Sequence, residues 1–207
     1  MDWRTPERVF GGGLDVVVLH ALWTAGRPMT GEQVARTAND GSVRGVRYAL
    51  GRLVAHGIVT ASAVGAAVVY TLNTDHLTFP AVDAAFRALD PSRLLASRVD
   101  QLVSEAYPGG GVSVAIFGSV ARGDAGPDSD VDLLVVVPGL DDEAEALRTL
   151  LTERVRAWTG QPVGVYLTTR DRLTEADDAG DPVVASFRAD ARTLAGPDVH
   201  EYLGHVA

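Results

Sequence analysis

A polar, glycine-rich loop lies between two short apolar runs in the second half of the chain. The runs, residues 112–117 and residues 131–137, have the length and composition of buried strands. The loop begins with Gly118-Ser119, and ten residues separate Ser119 from Asp130, which stands just before the second run. A helical pattern over residues 141–158 and a further β-rich run over residues 162–167 follow. This order predicts an α/β arrangement with a small mixed sheet.

The residue types of the loop predict a site for phosphate and a metal ion. Gly118 lets a phosphate approach the backbone, because glycine has no Cβ. Ser119 offers a hydroxyl and a backbone N–H at a predicted helix start, where partial positive charge favours phosphate. Asp130 and Asp132 are two residues apart in a strand pattern, so their side chains share one face. Two adjacent carboxylates repel each other unless a cation lies between them, and Mg²⁺ prefers carboxylate and phosphate oxygens.

These residues resemble the polymerase-β-like nucleotidyltransferases. Gly118-Ser119, ten residues and Asp130-x-Asp132 match the motif of the small bacterial minimal nucleotidyltransferases, and the resemblance covers roughly residues 94–203. It implies that Gly118 and Ser119 bind the triphosphate of ATP, that Arg122 meets a phosphate oxygen, and that Asp130 and Asp132 are the catalytic residues and ligands of Mg²⁺. A turn-rich loop with a solvated carboxylate pair is the alternative without function.

One departure from the superfamily concerns its third carboxylate. Catalytic members carry this acid on the strand after the helix, where it accepts the proton of the attacking hydroxyl and helps to hold a metal ion. The corresponding run, residues 162–167, contains no acid. Gly164 or Tyr166 occupies the equivalent position, and Asp171 is the nearest acid downstream. Because the base and a metal ligand are lost together, we expect nucleotide binding with weak transfer.

The first part of the chain has the pattern of a winged helix-turn-helix. Three helical patterns precede two β-rich runs, residues 58–64 and 67–72, which read as a hairpin hinged at Gly65. Thr30 and Ser42 are the predicted N-caps of the second and third helices. The resemblance implies a recognition helix over residues 42–56 whose DNA-binding residues are Arg44, Arg47 and Arg52. The alternative is an ordinary three-helix scaffold with solvated arginines.

The charge distribution divides the chain into two parts. Residues 1–75 contain seven Arg and six acidic residues, a net charge of +1, whereas residues 76–207 contain eleven Arg and 21 acidic residues, a net charge of −10. This asymmetry favours different partners for the two parts. We therefore expect an α+β protein with a DNA-binding domain over residues 1–75 and a nucleotidyltransferase fold over residues 76–207, of which residues 76–108 form a helical connection.

Composition narrows the classes of function. No apolar run reaches the ~18 residues of a membrane span, and the N-terminus lacks the pattern of a secretory signal. The chain has no cysteine, which excludes disulfides and thiolate metal sites. We expect a cytoplasmic protein without membrane contact, and a homodimer, because helix-turn-helix proteins usually bind two half-sites.

Three functions remain open on the sequence. In the first, the protein transfers AMP to a hydroxyl of a partner protein; the resembling proteins often act as antitoxins that modify a tyrosine of an HEPN-type toxin. In the second, it is a non-enzymatic transcriptional regulator that keeps the transferase fold as a ligand sensor or a protein-binding surface. In the third, it modifies a small molecule, as aminoglycoside nucleotidyltransferases do, but no region is left for their additional helical domain.

Overall fold

The computed structural model describes residues 1–203, whose contacts divide them into two units. The first unit contains residues 5–90, and the second contains residues 1–4 together with the described residues from Pro91 onward. The segment of residues 76–90, which the sequence analysis placed with the second part, makes its contacts within the first unit. The division after residue 75 stays a prediction about domains.

The first unit consists of helices and one small antiparallel sheet with the strand order β1-β3-β2. Its elements are α1 (Leu14–Ala25), β1 (Met29–Thr30), α2 (Gly31–Ala38), α3 (Val43–Ala55), β2 (Val59–Val64), β3 (Ala67–Leu72) and α4 (Phe79–Arg87). Strands β2 and β3 form the expected hairpin, in which Val64 pairs with Ala67. The two-residue strand β1 was not predicted from the sequence; it pairs with β3 through Tyr70 and Val69.

The predicted caps set the starts of α2 and α3. The Thr30 hydroxyl accepts a hydrogen bond from the backbone N–H of Gln33, while the Gln33 side chain accepts one from the N–H of Thr30, which completes a capping box. The Ser42 hydroxyl accepts from the N–H of Gly45. Below the caps, α1, α2 and α3 bury one shared apolar cluster that includes Val18, Leu22, Val34, Val46 and Leu50.

The second unit is built on a four-stranded mixed sheet with the order β6-β5-β4-β7. Its elements are α5 (Pro91–Ala106), β4 (Ser113–Phe117), α6 (Gly118–Arg122), β5 (Val131–Val137), α7 (Asp142–Thr159), β6 (Val163–Thr169), α8 (Arg170–Asp178), α9 (Pro182–Asp190) and β7 (Arg192–Ala195). Strands β5 and β6 are parallel, whereas β4 is antiparallel to both β5 and β7. The expected mixed α and β composition is confirmed.

Both faces of this sheet are covered, which explains the continuous apolar run of β5. Successive side chains of a strand point to opposite faces. Leu133 and Val135 pack with α5 and α7, whereas Leu134 and Val136 pack with Phe187 and its neighbours on α8 and α9. A strand buried on both faces needs apolar residues at every position, and only the polar start of β5 is left for a site.

One helix of this unit was not expected from the sequence. Helix α8 has the sequence RDRLTEADD, and Leu173 is its single buried residue. Its N-cap is Thr169, whose side chain accepts a hydrogen bond from the N–H of Arg172. In the described part of the chain, no helix has both the length and the apolar character needed to cross a bilayer. The predicted compartment stays a prediction.

Candidate functional site

The loop between β4 and β5 brings Gly118 against Asp132. Phe117, the last residue of β4, is the strand partner of Asp132 on β5. The next residue, Gly118, has a φ of 72°, a conformation that favours glycine. A Cβ at this position would lie 2.8 Å from Oδ2 of Asp132. Two features therefore require glycine at position 118: the positive φ of the backbone and the close approach of the Asp132 carboxylate.

Ser119 lies in a helix of one turn. Helix α6 has five residues, and its C-cap is Gly123, which has a φ of 79°. Ser119 is the second residue of α6, and its carbonyl accepts a hydrogen bond of 3.0 Å from the N–H of Asp124. This bond folds the loop back onto α6. The role of Ser119 in phosphate binding stays a prediction.

The two predicted carboxylates differ in their surroundings. Asp130 precedes β5 and is exposed, whereas Asp132 lies on the strand and is half-buried. Burial raises the pKa of Asp132 above its ordinary value, and the negative charges of Asp130 and Asp190 raise it further. The Asp132 carboxylate is thus crowded by two others, and a cation would relieve the repulsion.

The donor atoms fit Mg²⁺ bound together with phosphate. Within residues 1–203, no three acidic, histidine or cysteine side chains converge closely enough to hold an ion by themselves. Mg²⁺ in proteins is commonly held by one or two carboxylates, with substrate phosphates and water completing its shell. Asp130 and Asp132 would provide the carboxylates, and the nucleotide would provide the remaining oxygens.

The strand register decides between the two positions considered for the missing third acid. Asp132 pairs with Gly164 across the parallel strands β5 and β6, and a Cβ at Gly164 would lie 3.0 Å from Oδ1 of Asp132. Tyr166 instead packs against Phe187, with ring centroids 5.3 Å apart. Gly164 is therefore the position that faces Asp132.

Asp171 does not reach the carboxylate pair. It lies in the first turn of α8, which begins only after the end of β6. Because β5 and β6 are parallel, the end of β6 is remote from the start of β5, where Asp132 lies. Asp171 lines a separate cavity together with Val137 and Tyr202. Asp171, the nearest acid downstream of the strand, therefore does not replace the missing carboxylate.

The structure adds Asp190, which the sequence analysis did not single out. Asp190 is the last residue of α9, and its side chain is only 8% exposed. Its Oδ1 accepts a hydrogen bond of 3.4 Å from the N–H of Gly118, and its Oδ2 accepts one of 2.5 Å from Nη1 of Arg122. Nε of Arg122 also donates to Asp124 at 3.4 Å. These two carboxylates, Asp190 foremost, raise the pKa of Arg122.

The three predicted DNA-binding arginines are not equivalent. Arg44 and Arg47 are exposed on the first turns of α3. The Arg44 guanidinium lies over the ring of Tyr48, 5.6 Å from its centroid. Arg52 instead forms a bidentate ion pair with Asp15 of α1, with N–O distances of 3.0 and 2.9 Å. The charge of Arg52 is therefore already paired with a carboxylate of the same unit.

The comparison with protein families identifies the larger part of the second unit. Residues 96–183 match the family model of the nucleotidyltransferase domain. The chain contains a nucleotidyltransferase domain. The matched residues run from α5 into α9 and include the loop with Gly118 and Asp132. The match supports nucleotidyl transfer as a general activity of this domain.

The other comparisons add little to this identification. No curated protein matches the chain in sequence. One solved structure, described as "Crystal structure of the toxin-antitoxin with AMP-PNP", has 16% identity, covers 55% of this chain and 78% of its own, and gives a TM-score of 0.35. A likeness at that score does not establish a shared fold.

Proposed function

We propose that the nucleotidyltransferase domain binds ATP with Mg²⁺ at the loop between β4 and β5. The supporting observation is the environment of Asp132. Burial and the negative charges of Asp130 and Asp190 raise its pKa, and the backbone of Gly118 lies close to its Oδ2. Asp130 and Asp132 would hold the ion, which would supply charge neutralisation and Lewis-acid activation of the phosphates. The backbone of Gly118, the hydroxyl of Ser119 and the guanidinium of Arg122 would contact the triphosphate.

The proposed reaction is the transfer of AMP to a hydroxyl group. The hydroxyl oxygen of the acceptor forms a bond to the α-phosphorus of ATP, the bond between this phosphorus and the bridging oxygen breaks, and pyrophosphate leaves. The acceptor hydroxyl loses one proton in the process. Strand β6 has no carboxylate beside Asp132 to take that proton, because Gly164 occupies the position. We therefore propose that the transfer is slow, while the binding of nucleotide is retained.

The proposed acceptor is a tyrosine of an HEPN-type toxin. This proposal rests on the motif of Gly118, Ser119, Asp130 and Asp132, which resembles the antitoxin-type minimal nucleotidyltransferases. Incubation of the protein with labelled ATP, Mg²⁺ and the product of a neighbouring small helical gene tests it. Label in a tyrosine of that product supports the proposal, and label in no protein under any condition overturns it.

We also propose that residues 1–75 bind DNA as a winged helix-turn-helix domain in a homodimer. The support is the succession of α2, α3 and the β2–β3 hairpin, with Arg44 and Arg47 exposed at the start of α3. The start of a recognition helix is the part that enters the major groove. The hairpin itself, from Val59 to Leu72, contains no basic residue, so phosphate contacts would come from α3.

Arg44→Ala and Arg47→Ala are each expected to weaken binding to the promoter of the protein's own gene. Loss of one phosphate contact should lower the slope of log affinity against log salt by about one. Arg52→Ala is the matched control, because Asp15 already neutralises this guanidinium. Gel-shift titrations of the full chain at several salt concentrations measure the slopes. A larger loss for Arg52→Ala than for the other two variants would contradict the assignment.

One observation favours the second candidate function, a regulator without transferase activity. The missing carboxylate at Gly164 removes a catalytic group while leaving the loop of Gly118 and Asp132 intact. In such a protein, nucleotide binding would change the affinity for DNA, and no group would be transferred. Promoter titrations with and without Mg²⁺ and ATP separate the two functions, because only the regulator requires a change in DNA affinity.

A further inference from the structure

One carboxylate already occupies the groups to which the proposed function assigns a phosphate. The N–H of Gly118 and the guanidinium of Arg122 both donate to Asp190, at 3.4 Å and 2.5 Å. Carboxylate and phosphate oxygens are alternative acceptors for such donors. The two groups cannot give the same hydrogen bonds to Asp190 and to a nucleotide at once.

The position of Asp190 is set by the register in which β7 pairs with β4. Strand β7 is antiparallel to β4, with Arg192 opposite Ile116. Two residues further along this register, Asp190 falls opposite Gly118. The Asp190 side chain is 8% exposed, whereas that of Arg122 is 50% exposed. The carboxylate is therefore held by the fold, and the arginine is the partner that can move away from it.

We propose that Asp190 is an internal anion that competes with the nucleotide phosphate for Gly118 and Arg122, and that Arg122 turns from Asp190 to the phosphate when nucleotide binds. This inference rests on the proposed function, because it concerns the same site. Until nucleotide binds, Asp190 keeps the Arg122 side chain beside the loop. When nucleotide binds, the hydrogen bond that Arg122 donates to Asp190 is exchanged for one that it donates to the phosphate, so part of the binding free energy is lost in the exchange.

Asp190→Asn is expected to tighten the binding of ATP in the presence of Mg²⁺. Asparagine fills the same volume without the negative charge, so Arg122 no longer has a competing ion pair. Because the ion pair is partly exposed, its removal should tighten the binding of ATP by up to about fivefold. In an Arg122→Gln background, the same change should have little effect, because the competition acts through Arg122.

Asp177→Asn is the matched control. Asp177 of α8 forms an ion pair with Arg188 of α9, and its side chain is also 8% exposed. The substitution removes the same charge from the same unit and breaks a comparable pair, but it leaves Gly118 and Arg122 untouched. Its ATP affinity should equal that of the unmodified protein.

Isothermal titration of the full chain with ATP and Mg²⁺ tests the inference. Tighter binding by Asp190→Asn, with Asp177→Asn unchanged, supports it. Unchanged or weaker binding by Asp190→Asn overturns it, and so does the same tightening in both variants. If Asp132→Asn abolishes binding while Asp190→Asn has no effect, the inference fails and the proposed function stands. If no variant binds ATP, Asp190→Asn included, both fail.

Discussion

Replacing Asp132 with asparagine is expected to remove most of the Mg²⁺-dependent affinity for ATP. Asp132 is the carboxylate most enclosed by the loop, with Gly118 against one oxygen and Gly164 beside the other. Loss of an outer partner alone costs a metal site about 10- to 100-fold in affinity, and the loss of a direct ligand should cost at least as much. Titration with ATP in Mg²⁺ and in EDTA measures the effect. Asp128→Asn, an exposed acid of the same loop, is the matched control.

Asp132→Asn should not destabilise the fold. A loss of ATP affinity in this variant would therefore reflect the loss of the site and not unfolding of the protein. The pKa of Asp132 is raised in the folded protein by burial and by Asp130 and Asp190. An acid with a raised folded pKa costs stability when it is ionised, and this cost disappears as the pH falls through that pKa. Asparagine removes the cost at neutral pH. We expect the Tm of Asp132→Asn to be equal to or higher than that of the unmodified protein. Unchanged ATP affinity in this variant would refute the site.

Gly164→Asp is expected to increase the rate of nucleotidyl transfer. A missing general base costs about 10²–10⁴-fold in rate, and the register places residue 164 directly beside Asp132. We expect the new carboxylate to recover at least about tenfold of that loss. Position 164 is exposed, and its Cβ would need only a small shift of the Asp132 oxygen 3.0 Å away. Release of pyrophosphate from ATP in the presence of the acceptor measures the rate.

Two further variants give this experiment its controls. Gly164→Asn places a side chain of the same size without the charge, so it should leave the rate unchanged. Tyr166→Asp should give no increase in the transfer rate and should destabilise the protein, because Tyr166 packs against Phe187 rather than facing Asp132. Equal rates for Gly164→Asp and Gly164→Asn, or rapid transfer by the unmodified protein, would show that the missing acid does not limit the reaction.

The local parts of the fold and of the site could be predicted because their signals lie within a few residues. Thr30 and Ser42 cap helices through contacts three residues away, and the apolar run of β5 shows its burial directly. Gly118 and Asp132 follow from a loop flanked by two strands. Helix α8 was not predicted because it lacks such a local signal. Its nine residues contain one buried side chain, so the sequence shows no periodic apolar pattern there.

The remaining parts depend on strand pairing, which the sequence does not show. Asp190 reaches Gly118 only because β7 pairs with β4 in one antiparallel register. The choice of Gly164 over Tyr166 required the register of β5 with β6. The pairing of Arg52 with Asp15 joins two helices that are distant in the sequence. The sequence offered one signal for Asp190, namely an acid at the end of a helix directly before a final strand. This signal is not specific for a functional site.

The location of the nucleotide tests the central claim most directly. Mn²⁺ can replace Mg²⁺ in such sites and broadens the nuclear magnetic resonance signals of nearby amides. With ATP and a low concentration of Mn²⁺, the amide signals of Gly118, Ser119 and Asp132 should disappear first, while those of Val137 and Asp171, at the other end of the parallel strands, persist. Broadening that spares Gly118, Ser119 and Asp132, or that affects Val137 and Asp171 equally, would contradict the nucleotide site proposed between β4 and β5.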